Sequence, residues 1–213
     1  MRGAGRKCRL PRRLAVWMLL LVASIALLAD SWQLFLRCRY PLPYCDMVAQ
    51  ESERFALDPM LVYAVMKAES GFDERAGSSA GACGLMQLMP ETFEWMQSKL
   101  GEEGLYTRSD LFDPQVNIHY GCALLRLLLD VYGNEGTALC AYNAGMGTVN
   151  GWLKDAQLSS DGQTLYRIPY PETGTYLCRV QKNREMYLRL YGEDGSVPVK
   201  IYVSVTAHSA VQG

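Results

Sequence analysis

Glu69 falls in line with Val62 and Met66, in a segment where Leu61, Val62, Val65, Met66 and Glu69 recur at three- and four-residue spacing. On a helix that spacing turns the carboxyl toward the apolar face. Desolvation there favours the neutral acid, and a place in the last helical turn, near unpaired carbonyls, disfavours the anion. Both effects raise the pKa, as a general acid working near neutral pH requires. The ordinary alternative is an acid at a helix end that is solvated or caps a neighbouring amide. Two further clusters set a carboxamide beside apolar or aromatic surface: Met86-Gln87-Leu88-Met89, and Ala141-Tyr142-Asn143-Ala144-Gly145. Amides and a phenol suit neutral hydroxyl and acetamido groups, and the adjoining apolar surface can cover sugar C–H faces. Singly, Gln87 and Asn143 read as helix-end or turn residues and Tyr142 as core; with Glu69 they form a constellation.

Helices must position these groups. Asp46 to Leu57 reads as one helix. Asp58-Pro59 is a start signal, an N-cap acid followed by proline at the first helical position, and Gly71 can end the helix that carries Glu69. A helix from Pro90 to Lys99 follows. The longest begins near Asp113-Pro114, carries an apolar stripe through Val116, Tyr120, Ala123, Leu124, Leu127, Leu128 and Val131, and stops at Gly133. Two shorter helices flank Asn143 to Gly147, and Glu172 to Tyr191 is amphipathic. Only Val197 to Val205 is weakly strand-like. The expected fold class is therefore mainly α.

Ahead of this body, Arg2, Arg6, Lys7, Arg9, Arg12 and Arg13 precede an apolar run, residues 14–36, interrupted by Asp30. That length matches the ~20 residues needed to cross the hydrocarbon. The excess of basic residues on the near side, against Arg37 and Arg39 beyond, predicts a cytoplasmic N-terminus. A cleaved signal peptide is the rival, although Ala26-Leu-Leu-Ala29 puts leucine where a small residue is needed. The expected organisation is a basic N-terminus over 1–13, a transmembrane anchor over 14–36, a linker over 37–45, a catalytic domain over 46–192 and an unassigned tail over 193–213.

Residues 1–39 hold eight Lys or Arg and one acid, which leaves 13 basic against 21 acidic residues in the rest. A net charge near −8 on the exported part argues against nucleic acid as a partner. The seven cysteines, Cys8, Cys38, Cys45, Cys83, Cys122, Cys140 and Cys178, form no CxxC pair. Neither a metal nor a cofactor is expected. Disulfides and buried free thiols both remain open.

Glu69-Ser70, Ser78, Gly81-Ala-Cys-Gly-Leu-Met-Gln-Leu-Met-Pro90 and Ala141-Tyr-Asn-Ala-Gly145 resemble, in order and spacing, the motifs of the soluble-type lytic transglycosylases, relatives of goose-type lysozyme. The resemblance runs from about Val48 to Leu190. It implies a lysozyme-like α domain with a groove for peptidoglycan glycan strands; a monomer is expected. In such an enzyme Glu69 protonates the β-1,4 oxygen between N-acetylmuramic acid and N-acetylglucosamine. The carboxylate then deprotonates the muramyl 6-hydroxyl, which closes on its own anomeric carbon to give a 1,6-anhydro end. Ser78, Met86, Gln87, Tyr142 and Asn143 resemble groove residues. In Pro169-Tyr-Pro-Glu-Thr-Gly-Thr-Tyr176, Glu172 and Tyr176 match, while Gly174 stands where the family usually has arginine. Three rivals stay open: a hydrolytic lysozyme on the same fold, a wall-binding protein without catalysis, and a peptidase using Cys83 or Cys140 with His119.

Overall fold

The computed structural model describes residues 12–192, in two compact units divided between Pro41 and Leu42. The expected basic segment before residue 12, the tail from 193 with its weak strand pattern, and Cys8 lie outside the described residues. In the first unit, helix α1 (Arg12–Arg39) contains a span, Val16–Arg39, that is long and apolar enough to cross a membrane in spite of Asp30. Trp17, Leu19, Leu21, Leu27 and Leu28 all stand exposed around it. Ser24 and Ser31 turn their hydroxyls back onto the Leu20 and Leu27 carbonyls at 2.8 and 2.7 Å, so neither needs an outside partner. The helix runs past the expected end at Leu36, because nothing breaks it before Pro41 and Arg37 and Arg39 suit its negative C-terminal end.

Among the described residues the regular elements of the second unit are helical apart from isolated bridges: α2 (Cys45–Arg54), α3 (Pro59–Glu69), α4 (Pro90–Leu100), a 3-10 turn over Arg108–Phe112, α5 (Pro114–Tyr132), α6 (Glu135–Ala144), α7 (Met146–Leu153) and α8 (Pro171–Tyr191). Both Asp-Pro starts form as expected. The Asp58 side chain accepts from Met60 N and that of Asp113 from Gln115 N and Val116 N, while each proline occupies the position that needs no donor. Gly133, at φ 62°, ends α5.

Helix α3 is buried from Pro59 to Met66 and again at Ala68, which makes it the axis of the unit. Its sides are covered by α2 and α8, and α5 packs on α2, α4 and α6. Arg184 of α8 clasps the Asp58 carboxylate at 2.7 Å and that of Glu135 at 2.8 Å, tying α8 to the N-terminal ends of α3 and α6. These contacts fix α8 against the two helices that carry Glu69 and Tyr142.

Candidate active site

Glu69 is the last residue of α3. Protein surrounds most of its carboxyl, and this burial pushes the pKa from 4.5 up to about 7. The Tyr176 hydroxyl, approaching as a donor, and the positive charge of Arg179 oppose the rise without cancelling it. Tyr176 Oη is itself buried and has no partner at full hydrogen-bonding distance, so its approach to Glu69 is a directed near-contact. Burial and the Glu69 charge together hold the phenols of Tyr142 and Tyr176 well above their ordinary pKa, and both stay neutral hydroxyls.

The segment from Ala76 to Leu88 folds into a compact loop beside the acid. Ser70 joins the two: its hydroxyl donates to Leu85 O at 2.8 Å and accepts from Phe72 N at 3.1 Å. Gly84, at φ 77°, lies so close to Asn117 and to the Leu111 carbonyl that a Cβ there would sit 2.3 Å from each. Asn117 is fully buried on α5. It accepts from Met86 N at 2.7 Å and donates to Cys83 O and Leu111 O at 2.9 and 2.8 Å. One amide thus satisfies three backbone groups and pins the loop. Asn117 was missed in the sequence, although a lone carboxamide three residues before Tyr120 and seven before Leu124 on the same stripe is a readable signal.

Met86 corrects the sequence expectation. Its side chain was expected on the groove surface, but it is 0% exposed and packs on Gly121, where an added Cβ would meet its Sδ at 2.3 Å. The Met86 carbonyl instead serves the site, accepting from the Tyr142 hydroxyl at 2.9 Å. Met89, half-buried, takes the place on the groove. Cys83 and Leu88 pair as an isolated bridge, and Met86 and Leu88 are buried, while Gln87 and Met89, together with Leu88, line a cavity of about 320 Å³. Gln87 holds a left-handed backbone, φ 50°, unusual outside glycine. Its Nε2 donates to Gly84 O and Ala76 O at 2.9 and 3.1 Å, which leaves Oε1 as the acceptor.

The cavity is lined by Gln87, Met89, Thr92, Trp95 and Tyr142 over a floor of Leu124 and Leu128. It stops short of Glu69, and Tyr142 is the side chain that connects them, lining the cavity and interacting with the acid. Thr92 and Trp95, which no sequence argument singled out, come from the first turns of α4. Asn143, in the last turn of α6, accepts from the buried Thr173 hydroxyl at 2.8 Å, so its Nδ2 hydrogens remain for other partners. The structure brings none of Ser78, Asn143, Glu172 and Tyr176 to the cavity wall. Ser78 is exposed at the loop tip, where its hydroxyl accepts from Ala82 N at 3.0 Å, and Glu172 is exposed in the first turn of α8. A Cβ at Gly174 would meet nothing within 4 Å, so the space an arginine would enter is open.

Other acids near the loop are engaged. Glu74 accepts from the Tyr44 hydroxyl at 3.1 Å, and Asp73 caps Arg75 N at 2.9 Å. The Cys/His reading finds no geometry to support it. His119 bonds Glu51 through Nδ1 at 2.7 Å and faces Glu102 through Nε2 at 3.7 Å, while the Cys83 thiol lies on Gly81 O. Burial raises the Cys140 thiol to about 11. No metal-binding cluster occurs among the described residues.

A family model described as "Transglycosylase SLT domain" matches residues 46–164. Membrane-bound lytic murein transglycosylase C of Edwardsiella ictaluri (strain 93-146) is 41% identical over 173 residues, covering 69% of this chain and 47% of its own length. The transglycosylase of Enterobacteria phage PRD1 is 41% identical over 156 residues, 73% of this chain and 47% of its own. The soluble lytic murein transglycosylase of Escherichia coli (strain K12) is 30% identical over 179 residues, 83% of this chain and 27% of its own. The chain therefore spans about half or less of these relatives. Among solved structures, an inactive mutant of lytic transglycosylase Slt from Pseudomonas aeruginosa superposes with a TM-score of 0.63 at 32% identity, over 72% of this chain and 25% of that one. The 70 kDa soluble lytic transglycosylase of Escherichia coli gives 0.65 at 28% identity, over 75% of this chain and 26% of that one.

Proposed function

Because the chain belongs to the transglycosylase SLT domain family, we propose that it is a lytic transglycosylase of peptidoglycan with Glu69 as its single acid and base. The observation that carries this reading is a lone carboxyl, buried enough to titrate near pH 7, with no second carboxyl beside it among the described residues. Most glycosidases divide the work between two carboxyl groups, with substrate-assisted enzymes among the exceptions. Here one group does both tasks in turn. As the neutral acid, Glu69 protonates the glycosidic oxygen and the leaving N-acetylglucosamine departs. As the carboxylate, it takes the proton of the muramyl 6-hydroxyl, whose oxygen closes on the anomeric carbon. The acid ends as it began, and no water enters the product.

A pKa near working pH suits such a cycle, since both protonation states are then accessible. Gln87 Oε1 offers an acceptor in the cleft, and Asn143, next to Tyr142 but outside the cavity lining, keeps Nδ2 as a donor for the neutral groups of a glycan. Trp95 and Met89 offer apolar surface to the sugar faces. Ser78, Glu172 and Tyr176 complete the proposed residue set, Tyr176 through its approach to Glu69. Mass analysis of muropeptides released from purified peptidoglycan tests the reading. Anhydro ends are expected, and products one water heavier would instead mean a hydrolytic lysozyme.

The apolar helix α1 supports an anchored form with the catalytic unit on the outer face of the membrane and the basic N-terminus in the cytoplasm. Membrane fractionation with added protease tests that placement. Release of the catalytic unit as a shorter soluble chain would identify α1 as a cleaved signal.

A further inference from the structure

Three polar side chains of α8 reach across to α3. Tyr176 turns its hydroxyl toward Glu69, Arg179 Nη1 donates to Ala68 O at 3.3 Å, and Asn183 Nδ2 donates to Ala64 O at 3.4 Å. Spacings of three and four residues put them on one stripe of the helix. Ala68 O is one of the last carbonyls of α3, which have no donor within their own helix. A guanidinium at that place satisfies the carbonyl and offsets the negative end of the helix, one residue before the acid.

We propose that Arg179 is a positioning residue for the reaction: by capping α3 beside Glu69 it fixes where the acid stands and how readily it loses and regains its proton. The inference rests on the reading of Glu69 as acid and base.

The other groups around the acid leave this task to Arg179. From α8 it is faced by Tyr176 and from α6 by Tyr142, both neutral phenols, with the buried Cys122 thiol of α5 behind Tyr142. Lys67, on α3 itself, lies over the Phe72 ring at 5.8 Å from its centroid. Arg179 supplies the positive charge that draws the Glu69 pKa down against burial. Without it the acid would hold its proton more tightly, which suits the first step and hinders the second. Arg179 is solvent-exposed, so water and salt screen its charge, and the expected effect is modest.

The test reads Glu69 directly. The full-length protein in detergent, with its glutamate side-chain carboxyl carbons labelled, is titrated by NMR, and the Glu69 signal is assigned by its loss in E69Q. The R179M midpoint should rise by about half a pH unit, the size of an exposed charge interaction, and R179K should return most of the shift. R179Q, which keeps a donor for Ala68 O without the charge, should behave like R179M and serves if R179M does not fold. An unmoved or lowered midpoint in the uncharged variants overturns the proposal, because a purely structural cap would leave the titration where it was. The alkaline limb of kcat/KM on glycan strands should move by the same amount. A moved midpoint in a parent protein that yields no anhydro product would defeat the transglycosylase reading and leave the coupling intact; an unmoved midpoint in an active parent would defeat the coupling alone.

Discussion

Two buried carboxyl groups in the helical second unit have opposite surroundings. Glu51 of α2 is 1% exposed and fully partnered: Gln115 Nε2 donates to one oxygen at 3.1 Å, His119 Nδ1 lies 2.7 Å from the other, and Arg54 lies 3.8 Å from it. Glu69 retains more solvent access but has only the near approach of Tyr176 and the more distant charge of Arg179. Partners make a buried carboxylate part of the scaffold, and removing one of them strands the rest. Scarcity of partners leaves a carboxyl whose proton is held at a pH where it can be exchanged. Burial alone therefore does not mark a catalytic acid; burial with too few partners does.

Substitution at each acid separates these roles. E69Q should lower the release of anhydro-muropeptides by about 10²- to 10⁴-fold, the span of a lost general acid, while leaving the thermal midpoint at neutral pH unchanged or higher. Activity of E69Q within tenfold of the parent would remove Glu69 from the chemistry. In the parent, kcat/KM should fall as pH rises above about 7, because the first step uses the protonated form.

The same pKa predicts a stability difference. Between 4.5 and about 7 the folded protein holds a proton on Glu69 that the unfolded chain has released, so folding stability falls as pH rises through that window. The full displacement corresponds to about 3 kcal/mol. E69Q lacks this loss. Its stability relative to the parent, measured by urea unfolding, should therefore be higher at pH 8 than at pH 4 by up to that amount. An equal difference at the two pH values would mean that Glu69 titrates as an ordinary surface acid.

How far the sequence disclosed this contrast depends on distance along the chain. Glu69 was legible because its neighbours Met66 and Val62 lie one and two turns away on its own helix, and the Asp-Pro starts of α3 and α5 were legible because a cap is a local device. The Glu51–His119 pair joins positions 68 residues apart; His119 could be read only as a helix-surface or core imidazole. Met86 was misassigned for another reason. Apolar residues in a loop have no helical period to sort them, and the left-handed turn at Gln87 with the Cys83–Leu88 bridge decides which methionine faces outward. Asn143 could be named, but its partner Thr173 comes from a helix 30 residues on.

Removing the partnered carboxylate should cost structure instead of chemistry. E51A leaves the Gln115 amide, His119 and Arg54 without their acceptor, and an expected loss of about 2 to 3 kcal/mol in urea unfolding follows from stranding buried polar groups. At a temperature where the variant remains folded, anhydro-product release should stay within a few-fold of the parent. A large loss of activity without a loss of stability would break the proposed division between the two acids.

The smallest effect belongs to the surface beyond Glu69. Trp95 is 38% exposed at the rim of the cavity, and its ring lies near Lys99, whose Nζ is 5.6 Å from the centroid. Neither the fold nor the acid depends on it, so W95A should leave the thermal midpoint and the alkaline limb of the pH profile in place. Its face is an apolar platform next to Gln87 and Tyr142. Losing such a contact to a sugar ring is expected to cost about 1 kcal/mol, a several-fold rise in KM on glycan strands with kcat little changed. A drop in kcat at constant KM would mean instead that the α4 wall acts on the acid, and the cavity and Glu69 would then be one catalytic unit instead of a binding surface beside a proton donor.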